Sequence, residues 1–196
     1  MNYAFGALIT DPLPRTAVLR KEYAASDAQQ TLELPDAAVL QAAARALDEA
    51  LRSGERAPVK KAGDRLLDLL AGHYQVERPG LSVLGSRPHS TIEGQYSWEL
   101  FGDYTPDTEK IRVWMRTAVL GKVTSYRGLL NTLLHEFLHH LDVRSLGFTN
   151  TPHTRGFFWR IDHLYHLALD TPAEKRKPLV WIKSGNGWRV DWRKLR

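Results

Sequence analysis

From Ser125 to Arg144 the residues Leu129, Leu130, Leu133, Leu134, Phe137, Leu138 and Leu141 recur at steps of three and four. That is the period of one helix face, and it predicts a long half-buried helix. Thr124 or Ser125 can cap its start. Pro35-Asp36 opens an earlier helix running to about Arg52, with Leu40, Ala43, Leu47 and Leu51 on one face and Ser53-Gly54 as its stop. A second spans about Pro58 to Tyr74, striped by Leu66, Leu69, Leu70 and Tyr74, and a further one runs from about Arg155 to Leu169. Period-two alternation predicts strands at Gln95–Phe101 and Lys110–Arg116, joined by a connection from Gly102 to Glu109. In the second of these, Ile111, Val113 and Met115 share a face opposite Arg112, Trp114 and Arg116. Leu81–Leu84 reads as a short strand, and Gly85 to Gly94 as a loop. Leu179–Val190 reads as a hairpin turning at Ser184-Gly185-Asn186-Gly187. Residues 1–34 carry no clear period and read as a loosely packed arm. The expectation is therefore an α+β domain over 35–170, with a small, mostly antiparallel sheet and a C-terminal hairpin or tail over 171–196 packed on it.

The long helix contains His135-Glu136-Phe137-Leu138-His139, an HExxH pattern. Positions i and i+4 lie one above the other on a helix, so both imidazoles can converge on one metal ion. Glu136 projects beside them, in reach of a metal-held water. That combination points to a zinc hydrolase, most often a peptidase. A catalytic zinc usually takes three protein ligands, so one more must come from downstream. The metzincin spacing fails, because Ser145 and Asp142 stand where that pattern needs a His and a Gly. A thermolysin-like Glu is missing too, since the only Glu after Glu136 is the remote Glu174. His153, following the loop from Ser145 to Pro152, is the favoured third ligand; Asp162, His163 and His166 are the alternatives.

The stretch from about Ile111 to Leu167 resembles the SprT-like (Spartan-type) zinc metallopeptidases. The resemblance is carried by Ile111-Arg112-Val113-Trp114-Met115, by Leu130-Asn131-Thr132-Leu133-Leu134-His135-Glu136, and by Pro152-His153-Thr154-Arg155-Gly156-Phe157-Phe158-Trp159. It implies His135, His139 and His153 as zinc ligands, Glu136 as catalytic acid/base, and a compact zincin-like fold whose exposed sheet edge holds an extended peptide. The cysteine-based zinc ribbon of many such proteins is missing, since the chain has no Cys. Asp142 lies three residues after His139 and seven after His135, and can accept a ligand imidazole N–H. Tyr165, Tyr126 and Arg155 are candidate donors to the developing oxyanion.

Composition narrows the setting. Hydrophobic content of 43% and charged content of 25% are those of an ordinary globular protein. Without Cys there are no disulfides, and no long apolar run suggests a membrane span, so a cytoplasmic protein is expected. The net charge of +5 is uneven: Glu174 to Arg196 holds eight Lys/Arg against two Asp/Glu. Trp181, Trp188 and Trp192 are interleaved with Lys183, Arg189, Arg193 and Lys194, a pattern that can stack on bases and contact phosphates. The favoured reading is a hairpin packing its Trp residues on the body. A nucleic-acid-associated binding protein with a silent zinc site is the alternative function, and a strand blocking the cleft is a third role for the tail.

Overall fold

A computed structural model of the protein describes residues 8–92 and 95–195. Residues 1–7 of the expected arm, Glu93 and Gly94 of the expected loop, and Arg196 of the tail lie outside it. The described chain is mixed α+β. In order it forms α1 (Ala17–Ala28), α2 (Ala37–Arg52), α3 (Arg56–Tyr74), β1 (Gly80–Ser86), β2 (His89–Ile92), β3 (Gln95–Glu99), β4 (Gly102–Thr105), β5 (Lys110–Arg116), α4 (Tyr126–Leu141), α5 (Arg155–Ala168), β6 (Trp181–Ser184) and β7 (Gly187–Val190).

The main sheet has the order β1-β5-β4. Ile111, Val113 and Met115 on β5 are buried, as their alternation predicts, and they meet the leucines of α3 and α4 in one continuous core. Trp114, on the opposite face, is buried as well, so β5 is covered on both sides at its centre. The helix starts follow the sequence: Asp36 caps α2, Ser125 caps α4 and Thr154 caps α5, each side chain accepting an N–H of the first turn.

Two of the expected connections contain strands, and the main sheet is of mixed direction. Three of the four strand pairings among the described residues are antiparallel, in keeping with a mostly antiparallel arrangement, and β1 runs parallel to β5 from Gly80↔Lys110 to Ser86↔Arg116. The intervening hairpin β2–β3 gives the chain the length to return in the same direction. The expected connection after Gly102 begins with β4, an edge strand antiparallel to β5. Gly-Asp-Tyr-Thr is a weak strand signal on its own, and pairing with β5 supplies what propensity does not. The expected loop after Gly85 likewise contains the rest of β1 and all of β2.

The segment read as a loose arm contains α1. The C-terminal end of α1 is joined to the start of α5: Ser26 Oγ lies 2.9 Å from Thr154 Oγ1, and Asp27 pairs with Arg155. The buried Arg160 donates to the carbonyls of Ser26 (3.1 Å) and Gln29 (2.6 Å). The hairpin β6–β7 turns at Gly185-Asn186 as expected. Its Trp181 packs against Phe158 (ring centroids 5.7 Å apart), and Trp188 lies under the Arg155 guanidinium. Among the described residues no helix is long and apolar enough to cross a membrane.

Candidate metal centre

His135 and His139 stand one turn apart on α4, and His153 reaches them from the loop preceding α5. The three Nε2 atoms form a nearly equilateral triangle: 3.0 Å from His135 to His153, 3.0 Å from His139 to His135 and 3.1 Å from His139 to His153. Among the described residues this is the one group of three potential ligands close enough to hold a metal ion. Asp162, His163 and His166 stay on α5 and take no part. Asp162 and His166 face each other in the interior at 3.4 Å, and His163 lies beside Trp159.

The outer partners of His139 and His153 turn their Nε2 lone pairs into the triangle. His139 Nδ1 lies 2.7 Å from Thr151 Oγ1, and the Thr151 hydroxyl donates to Asp142 at 3.3 Å. The hydroxyl proton is therefore committed, His139 donates through Nδ1, and its Nε2 keeps a lone pair. His153 Nδ1 faces an Asp11 carboxylate oxygen at 3.4 Å, which can only accept. Nε2 of His153 thus also carries a lone pair. Two lone pairs aimed at one point are a donor set for a cation. Burial holds His135 down to about 3, and burial holds His139 well below its usual value. Both imidazoles are therefore neutral at neutral pH, the form that ligates metals.

The supporting contacts depart from expectation in an informative way. Asp142 is connected to His139 through Thr151. It sits at the start of a wider, π-type turn over Asp142–Leu146, and its carboxylate is taken by Arg160 at 2.8 and 3.0 Å, both side chains being 0% exposed. Thr151 bridges the gap to His139. This Thr has φ +37°, a conformation that costs a β-branched residue about 1–3 kcal/mol, and the hydroxyl contact is what the strained geometry achieves. No local pattern marks Asp11 or Thr151 as a partner of the histidines, and Asp11 lies 142 positions from His153.

Glu136 and β4 form the other wall. A cleft of about 440 Å³ is lined by the three His, Glu136, Gly102, Asp103, Tyr104, Pro106, Asn150, Thr151 and Asp11. Burial pushes the Glu136 carboxyl up to about 8, and the charge of Asp103 adds to it. A cation at the triangle would act in the opposite direction. Gly102 sits directly over Glu136. A Cβ there would lie 2.5 Å from Thr132 Cγ2 and 3.0 Å from Glu136 Oε1. Gly102→Ala is therefore expected to displace Glu136 and Thr132 from the wall of the cleft, and, on the function proposed below, to lower turnover by about tenfold or more. Steady-state kinetics beside metal analysis checks this.

His140, the neighbour of His139, faces away from the triangle. Its Nε2 lies 2.8 Å from the Glu77 carbonyl and must donate, so Nδ1 accepts from the Tyr104 hydroxyl at 2.9 Å. That bond ties β4 to α4. Just before β4 begins, Phe101 C=O accepts from Trp114 N–H at 3.1 Å. Antiparallel alternation then turns the main-chain groups of Gly102 and Tyr104 away from β5, at the outer edge bordering the cleft.

The expected oxyanion donors lie elsewhere. Tyr165 is ten residues into α5, roughly 15 Å along its axis, and lines a separate cavity of about 560 Å³ with Arg127 and His166. Tyr126 is nine residues before His135, at the far end of α4, and Arg155 is paired with Asp27.

Fold and site together define a mixed α+β protein with a three-histidine site that could hold a metal ion, beside a buried carboxyl and a sheet edge. Comparison with protein-family models, with curated proteins and with solved structures returned no match.

Proposed function

We propose that the protein is a zinc-dependent metallopeptidase of SprT-like, zincin-type organisation, with His135, His139 and His153 as ligands and Glu136 as general base and acid. The observation that carries this reading is the convergence of three Nε2 atoms within 3.1 Å of one another, next to a buried Glu from the same helix. Tetrahedral zinc with bonds of about 2.0–2.1 Å needs nitrogens about 3.3–3.4 Å apart, within a few tenths of an ångström of this triangle. The all-nitrogen donor set suits zinc, and a hard cation such as magnesium would favour oxygen ligands.

When bound, zinc supplies a water acidified toward a pKa of about 7 and polarises the scissile carbonyl. Glu136 is placed to take a proton from the attacking water and to pass it to the leaving amine. Burial keeps that carboxyl away from bulk water, and Gly102 allows it to stand against β4. The outward main-chain groups of Gly102 and Tyr104 offer an extended peptide a strand to pair with, giving affinity that is independent of side-chain sequence. An unfolded or extended protein segment is accordingly the substrate class.

The same reading makes metal removal costly. Zinc at 100 times its dissociation constant stabilises the folded chain by about 2.7 kcal/mol. For a chain of this size that corresponds to a melting point roughly 5–11 °C higher. Incubating the full chain with casein, then with a strong chelator, then with added zinc tests the activity. Cleavage that stops on chelation and returns with zinc, alongside the melting shift, is the expected result. Cleavage indifferent to chelation, or a zinc-loaded chain that cleaves nothing, contradicts the proposal.

A further inference from the structure

His135 and His139 are placed by the geometry of α4, but His153 lies in a loop and needs another device to hold it. Asp11 makes three polar contacts with this residue. Its N–H donates to the His153 carbonyl at 2.8 Å, its Oδ2 accepts the His153 N–H at 2.9 Å, and its Oδ1 faces Nδ1 at 3.4 Å. Together they fix the backbone position of His153 and the tautomer of its ring. Asp11 is held in turn by the C-terminal hairpin. Thr10 N–H donates to Trp188 C=O (2.8 Å), Val190 N–H to Leu8 C=O (3.0 Å) and Leu13 N–H to Asn186 C=O (3.2 Å), so residues 8–13 lie along β7 as a strap. From the other side, Phe158 stacks on the His153 ring at 5.8 Å and rests on Trp181 of β6.

We infer that Asp11 is a positioning residue of the metal centre, and that the strap it belongs to links metal binding to the docking of the chain's N-terminal segment on the C-terminal hairpin. The inference rests on the reading that His153 is a metal ligand. A carboxylate on the outer nitrogen of a ligand His fixes the ring and raises its basicity, and loss of such a partner typically costs 10–100-fold in metal affinity. The coupling is reciprocal: whatever strap docking adds to zinc affinity, zinc adds to strap docking. The basic, Trp-containing hairpin thereby acquires a role inside the molecule, as the seat of the strap.

Zinc affinity of the full chain, measured by competition with a chromophoric chelator, tests this on the parent, Asp11→Asn and Gly187→Ala. Asn retains an acceptor for the backbone N–H but cannot also accept from Nδ1, so affinity is expected to fall about 10–100-fold with the melting point of the metal-free chain near the parent's. Gly187→Ala touches no ligand, yet its Cβ would lie 2.8 Å from Thr10 Oγ1 and 3.1 Å from Thr10 O, displacing the strap. It is expected to weaken zinc in the same direction. Hydrogen exchange on the parent gives a readout that needs no variant to fold: zinc should slow the Thr10, Leu13 and Val190 amides more than those of α2. Parent-like zinc affinity in Asp11→Asn, or strap amides that exchange equally with and without zinc, overturns the inference and leaves the three-histidine site standing. A parent that binds no zinc overturns the metal reading itself.

Discussion

Replacing Glu136 with Gln is expected to lower peptide hydrolysis by about 10²–10⁴-fold while zinc stays bound. Gln is nearly isosteric with Glu and keeps the contact with Gly102, so the walls of the cleft hold their shape. It cannot accept a proton from the attacking water, and the loss should fall on kcat more than on KM, as befits a group that acts in the transition state. His135 and His139 flank Glu136 on α4 but point to the triangle from their own positions, so zinc content should match the parent's. Kinetics and metal analysis on the same preparations check both halves. A Gln variant that cleaves as fast as the parent removes Glu136 from the mechanism.

The second large effect is structural. Asp142→Ala leaves Arg160 buried with no anion, since both side chains are wholly enclosed. Breaking a buried pair on one side costs about 3–5 kcal/mol, which for a chain of this size is a fall in melting temperature of roughly 6–20 °C. Arg160 also holds the carbonyls of Ser26 and Gln29, so the end of α1 should loosen with it. The double variant Asp142→Leu/Arg160→Met should regain much of that stability, because it removes both charges at once. Its zinc affinity should stay low, because the Thr151 hydroxyl has lost its acceptor and no longer fixes the His139 ring. Calorimetry with zinc titration separates the two effects; a double variant with parental zinc affinity would show that the Asp142–Thr151 chain does not support the site.

What the sequence made legible follows from local rules. The leucine stripe of α4 and the four-residue step from His135 to His139 are helix geometry, and Asp36 and Ser125 cap helices where the stripes begin. His153 could be favoured from its loop and from resemblance, and the structure brings its Nε2 to the other two. The missed parts depend on distance or on tertiary override. Asp11 meets His153 across most of the chain, from a segment without periodicity. β4 is too short and too poor in strand formers to be read without its partner β5, and with it the role of Gly102 was hidden. Residue type alone points to Tyr165, but ten residues of α5 carry it away from the loop that holds His153. Asp142 shares the face of the ligands as its spacing implies, yet Arg160 claims its carboxylate and Thr151 carries the contact onward.

X-ray absorption at the zinc edge, recorded on the full chain purified without added metal and then loaded with zinc, tests the central claim most directly. Three imidazole nitrogens and one oxygen at about 2.0–2.1 Å, with one nitrogen lost in His153→Ala, is the predicted result. A chain that takes up no zinc, or that holds it through oxygen ligands with a spectrum indifferent to His153, would contradict the account.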